Sequence, residues 1–89
     1  MVDAVDVSSQ VRQFVLTNFL FGDAARLPGD TDSLLASGVM DSTGVLELVE
    51  FLEGDLGVVV ADHETVPANL DSVDNIAAFV ERKRSNSPV

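Results

Sequence analysis

The chain contains no cysteine. A disulfide framework and a thiolate metal site are therefore both excluded, and any thiol chemistry has to come from a group attached to the protein. Basic side chains are almost as scarce. Among residues 1–81 only Arg12 and Arg26 are basic, whereas all fifteen acidic residues lie in that stretch. No apolar run approaches the roughly 20 residues that span a bilayer. The first ten residues, MVDAVDVSSQ, lack the basic start of a secretory signal, and the C-terminus carries no lipidation signal. There is no internal repeat. These absences lead to the expectation of a soluble, cytoplasmic protein.

What is present is one small domain's worth of chain: 89 residues, 46% hydrophobic, with a net charge of −10. So acidic a surface repels nucleic-acid phosphates and anionic lipids and attracts basic protein patches. Neither a nucleic acid nor a membrane is expected as partner. Arg82, Lys83 and Arg84 form the only basic cluster.

Apolar spacing predicts a first helix over 8–21, with Val7, Val11, Phe14, Val15 and Asn18 on one face and Phe19 and Phe21 flanking it. Ser8 or Ser9 is the expected cap and Gly22 the stop. Residues 22–41 read as a long loop that Leu27, Leu34, Leu35 and Val39 pin to the core, with a short helical turn near 32–36. A second helix is predicted over 42–56. Val45, Leu48, Val49, Leu52 and Leu56 form its apolar stripe, Leu46 and Phe51 flank it, and Thr43, Glu47, Glu50 and Gly54 lie opposite. Asp41 is the natural N-cap and Gly57 the stop, while Gly44 costs the helix about 1 kcal/mol relative to Ala. Val58–Val60 are expected to pack inward as loop, followed by a short helix over either 62–65 or 66–69. The last helix is predicted over 72–84, capped by Asp71 or Ser72. Val73, Ile76, Ala77 and Val80 face inward, with Phe79 at the edge and the basic cluster at the negative end of its dipole. The result is an all-α bundle of three main helices, with tails expected at 1–7 and 85–89.

The dipeptide Asp-Ser occurs three times, at Asp32-Ser33, Asp41-Ser42 and Asp71-Ser72. Ser33 reads as a turn or cap residue and Ser72 as a helix cap. Ser42 differs in context, since it follows a long loop and opens the helix with the strongest outward acidic face. The free amides and dipole of a helix start favour a phosphate there. On these grounds alone, an attachment site and a plain N-terminal serine remain equal readings. No catalytic serine is expected, because His63 is the sole histidine and lies in a distant loop. A calcium hand is excluded as well. Asp30 and Asp32 fit its first ligand positions, but Leu35 stands where glycine is needed and Asp41 where a bidentate Glu is needed.

Residues 31–60, TDSLLASGVMDSTGVLELVEFLEGDLGVVV, followed by 66–83, VPANLDSVDNIAAFVERK, resemble the acyl carrier and peptidyl carrier protein family. The G-V-x-D-S core and the helix after it are the specific features, and the likeness covers roughly residues 8–84. It implies a four-helix bundle with three long helices, one short helix and a long first loop. It also implies that Ser42 receives 4′-phosphopantetheine from coenzyme A through a separate phosphopantetheinyl transferase, the Ser42 hydroxyl attacking the β-phosphate with magnesium held by that enzyme. Asp41 would cap the helix and contact that metal. Thr43, Leu46, Glu47, Glu50 and Glu53 would meet partner enzymes through weak, fast, charge-guided contacts. Those partners would be the transferase, an acyl- or aminoacyl-loading ligase or acyltransferase, and a downstream synthase or transferase.

Most relatives carry Leu or Met where this chain has Thr43, and many have an apolar residue in place of Glu50, which implies a more electrostatic, partner-selective surface. The implied protein is a stand-alone, monomeric, non-enzymatic carrier of a natural-product pathway such as polyketide or nonribosomal peptide antibiotic synthesis. Two other readings compete: an acidic helical adaptor for a basic partner, and an acidic nucleic-acid mimic. Neither needs an accessible serine at position 42.

Overall fold

A computed structural model describes residues 6–85. Four α-helices, α1 (Val7–Phe19), α2 (Ser42–Gly54), α3 (Pro67–Leu70) and α4 (Val73–Ser85), make an all-helical bundle without strands among the described residues. None of these helices is long and apolar enough to cross a membrane. The expected tails lie mostly outside the described residues.

The first helix starts earlier than its serines suggest. Asp6, not Ser8 or Ser9, is the cap, its Oδ1 accepting the Ser9 N–H at 2.8 Å. That bond holds the Asp6 carboxyl below its ordinary value. Val7, Val11 and Val15 follow at helical spacing and are all buried. Asn18, expected on the inner face, is exposed instead, and its amide donates to the Phe14 carbonyl at 3.0 Å. The helix stops at Phe19 rather than Phe21, because Leu20 turns into the core, leaving 1% of its surface exposed. Phe21 is thrown outward.

The segment from residue 20 to 41 is irregular apart from a 3-10 turn, Ala24–Arg26. The expected helical turn near 32–36 is a hydrogen-bonded turn, not a helix. Leu34 is completely buried, whereas Leu35, expected in the core, is 37% exposed. The long loop is held mainly by α4's approach. Ser33 Oγ donates to Asp71 Oδ2, the Leu35 N–H donates to Asp71 Oδ1 at 2.9 Å, and the Leu34 N–H donates to the Asp71 carbonyl at 2.7 Å. The Asp74 N–H donates to the Asp30 carbonyl at 2.9 Å, and Arg12 pairs with the Asp30 carboxylate at 2.7 Å. Asp71 is therefore occupied by the loop, and Ser72 alone caps α4, its Oγ accepting the Asn75 N–H at 3.1 Å.

In α2, Gly44, Leu48 and Leu52 face the core. The helix ends at Gly54, two residues before the expected Leu56, yet Leu56 and Val58 are still buried beyond it. Gly57 adopts φ 70°, and the Val58 N–H reaches back to the Leu52 carbonyl at 3.0 Å. Val59 is 74% exposed, so the inward packing expected of all three valines is mainly that of Val58. Of the two alternatives for the expected short helix, the later is α3, and the earlier forms a 3-10 turn at Asp62–Glu64 as well. Phe79, expected at an edge, is buried at 2% exposure beneath Arg82 and Lys83, each 5.9 Å from its ring centre.

Asp71→Ala removes an acceptor from two donors, one of them a partly buried hydroxyl. Urea unfolding should show a loss of about 2 kcal/mol, against a few tenths for Asp62→Ala on the exposed 3-10 turn. Equal losses would contradict the clamp.

Candidate functional site

The start of α2 is fixed from both directions. On the loop side, the Leu34 carbonyl accepts the N–H groups of Val39 and Met40 at 3.1 and 3.0 Å, which directs the chain into Asp41. On the helix side, Asp41 Oδ1 accepts the Gly44 N–H at 2.8 Å and the Asp41 carbonyl accepts the Val45 N–H at 3.0 Å. Asp41 is thus the expected N-cap and Ser42 the first helical residue. Ser42 is exposed, and its Oγ makes no hydrogen bond among the described residues.

The other two serines contrast with it. Ser33 Oγ donates to Asp71 and accepts the Ala36 N–H at 2.9 Å, while Ser72 is 5% exposed and caps α4. His63 is exposed on its 3-10 turn and makes no hydrogen bond to Ser42 among the described residues. Likewise, no three His, Asp or Glu side chains gather as a metal centre would need among the described residues.

Around Ser42 the surface divides. Thr43 lines a polar crevice of about 270 Å³ with Asn18, Phe19, Val39, Asp41 and Glu47. Val45 lines a small apolar pocket of about 60 Å³ with Leu35, Met40, Val66, Pro67 and Leu70. Along the outward face of α2, Glu47, Glu50 and Glu53 are exposed and Leu46 is 64% exposed. Glu53 is not wholly free, since its Oε2 accepts the Val60 N–H at 3.0 Å. Phe51, flanking the stripe, is partly buried and stacks on Phe14 with ring centres 4.5 Å apart.

Gly44 matters in a way its helix cost conceals. A Cβ there would lie 3.0 Å from Met40 Cγ and 3.1 Å from Phe19 Cζ. Its lack of a side chain lets the Phe19 ring lie directly against the helix start, two residues from Ser42. A glycine two residues after an exposed serine was the only available sequence signal of that contact.

The wall of the apolar pocket is tied to α4. Lys83 Nζ donates to both oxygens of Glu64 at 2.8 and 3.1 Å, and Glu64 Oε1 also accepts the Ala61 N–H at 3.0 Å. Arg82 donates to Asn69 Oδ1 at 3.0 Å. The lysine bond, then the backbone bond, holds the Glu64 carboxyl below its ordinary value.

The geometry defines a small helical bundle that presents an exposed serine hydroxyl at the first position of an acidic helix. The chain is similar to the probable acyl carrier protein PigG of Serratia sp. (strain ATCC 39006), 29% identical over 80 residues that cover 90% of this chain and 91% of PigG. That likeness runs over nearly the whole length of both chains, and the relative is named as a carrier. No family model matches the chain.

A carboxyl whose folded pKa is depressed stabilises the fold fully above its unfolded value and loses that contribution as pH falls through the folded one. For Glu64 the loss begins below about 4.5. The stability difference between wild type and Glu64→Gln, followed by urea unfolding, should therefore be present at neutral pH and shrink as pH falls through that range. A difference independent of pH would contradict the Lys83 pairing.

Proposed function

We propose that the protein is a carrier whose Ser42 hydroxyl receives a 4′-phosphopantetheine arm from coenzyme A by the action of a separate phosphopantetheinyl transferase. The observation that carries this reading is the contrast among the three serines. Ser33 and Ser72 have their hydroxyls engaged in the fold, whereas Ser42 is exposed and free of hydrogen bonds among the described residues. When bound, the arm supplies a terminal thiol that holds an acyl or aminoacyl group as a thioester, the chemistry a cysteine-free chain lacks.

The chain's own residues prepare the site. The positive end of the α2 dipole lies at Ser42, the first helical residue, and favours the negative charge of an attached phosphodiester. Asp41 holds the helix start with Oδ1, which accepts the Gly44 N–H, and its Oδ2, which makes no hydrogen bond among the described residues, would be the oxygen available to a metal during loading. As the Oγ–P bond forms, the hydroxyl proton leaves to a base of the transferase and the bond to the nucleotide portion of coenzyme A breaks. Leu46 is the apolar anchor for partner enzymes, Glu47 and Glu50 meet their basic patches, and Thr43 lines the crevice they would enter. Glu53 takes part with its remaining oxygen. Such contacts release quickly, as a carrier shared by a loading ligase or acyltransferase and a downstream synthase requires. A monomeric carrier of the cytoplasm, working in a polyketide, nonribosomal peptide or related pathway, is the form this reading takes.

The exposed acidic face of α2 equally suits an adaptor that docks on a basic partner and bears no prosthetic group. Intact mass after incubation with coenzyme A, magnesium and a broad-specificity transferase separates the two. The carrier reading predicts the gain of one phosphopantetheine by the wild type and none by Ser42→Ala. Because Asp41 is the cap, that substitution should leave stability within about 0.5 kcal/mol of wild type, so lost loading is not lost folding. Loading should also slow as ionic strength rises. An unmodified wild type beside a control carrier that the same enzyme loads would favour the adaptor.

A further inference from the structure

Phe21 stands where the fold gains little from its side chain. Its ring is 89% exposed, and its backbone sits at φ 53°, in the left-handed region that bulky residues avoid. Gly22 follows at φ 86°. The two residues reverse the chain at the end of α1. The Gly22 N–H donates to the Leu16 carbonyl at 2.9 Å and the Asp23 N–H to the Leu20 carbonyl at 3.0 Å, with Leu20 dropping into the core. Glycine at position 21 would make the same reversal without strain and without an exposed ring. A side chain kept against both local conformation and burial points to use outside the fold.

Its location supplies that use. Two residues earlier, Phe19 forms the crevice wall opposite Thr43 and lies against Gly44. Two residues span at most about 7 Å, so the Phe21 backbone lies within that distance of the crevice residue Phe19. Asp41 and Glu47 line the crevice with Phe19 and are exposed, as is Asp23 two residues after Phe21.

Resting on the carrier reading of Ser42, we infer that Phe21 is an aromatic docking anchor for the transferase that loads Ser42, seated in an apolar socket rimmed by basic side chains. Before the arm is present, Ser42 Oγ itself has to reach the transferase's reacting centre. That enzyme must therefore lie flat on the surrounding surface, and a standard interface covers about 800 Å² per partner, a disc of roughly 16 Å radius. Enzymes that act on the loaded arm reach through its length and are under no such constraint. Exposed aromatic rings that bury fully on docking are the side chains that dominate such interfaces, and the acidic surroundings select a basic rim.

The test compares wild type, Phe21→Gly and Phe21→Tyr as substrates of a purified broad-specificity phosphopantetheinyl transferase with coenzyme A and magnesium, alongside thermal unfolding. Phe21→Gly should melt at or above the wild-type temperature, yet show a KM for the carrier raised about tenfold with kcat within about twofold. Phe21→Tyr should retain a wild-type KM. An unchanged KM in Phe21→Gly, or a lowered melting temperature that accounts for the loss, overturns this inference and leaves the carrier reading standing. A wild type that is never loaded overturns both.

Discussion

The Asp71 carboxylate and carbonyl are the constraint on which the rest depends. A loop of some twenty residues between α1 and α2 has few apolar side chains to hold it, and left loose it would place Ser42 anywhere within its reach. Donors from Ser33, Leu34 and Leu35 converge on Asp71 instead, at the doorstep of α4, the helix that α1 packs against. Once Leu34 is pinned and buried, its carbonyl collects Val39 and Met40, and the chain enters Asp41 in the extended conformation that a cap needs. The position of Ser42 is thus inherited, bond by bond, from the rigid end of the bundle. Rigidity beneath and freedom at the hydroxyl are what an attachment point handled by a separate enzyme requires.

Charge is distributed to the same effect. Arg12 is held by Asp30, Lys83 by Glu64, Arg82 by Asn69 and Arg84 by the Leu56 carbonyl at 3.0 Å. Individually such exposed contacts add little stability. Together they keep the cations on α1 and α4 and away from α2, whose Glu47 and Glu50 face solvent. The acidic face persists because four of the chain's five Lys and Arg side chains are engaged elsewhere. On the carrier proposal, docking there is sensitive to salt and favours basic partners.

The parts of this organisation that follow helical spacing were legible in the sequence. The apolar stripe of α2, the Asp41 cap, the inner face of α4 and the singular context of Ser42 all follow from side chains within a few residues of one another. Contacts between distant residues left no such trace. Ser33 and Asp71 are 38 positions apart, and nothing local distinguishes an aspartate that caps its own helix from one that clamps a loop. The Asp6 cap was hidden by the two serines after it, which are equally good cap residues by type. Gly44 reads as a helix cost until Phe19 is placed against it, and Phe21 reads as a flank of the first helix until the backbone turns left-handed beneath it. Leu35 and Val59 are exposed because the loops carrying them are anchored by neighbours, Leu34 and Val58, that fill the core first.

The central claim is that one of three chemically identical Asp-Ser serines carries the prosthetic group, chosen by what the fold leaves free. Trypsin cannot separate them, since no Lys or Arg lies between Arg26 and Arg82 and all three fall in one fragment. Fragmentation of the intact loaded protein in the mass spectrometer can. The account predicts that every fragment ending before Ser42 is unmodified, that the added mass appears at Ser42, and that it is single. Added mass at Ser33 or Ser72, whose hydroxyls the fold has already engaged, would contradict it.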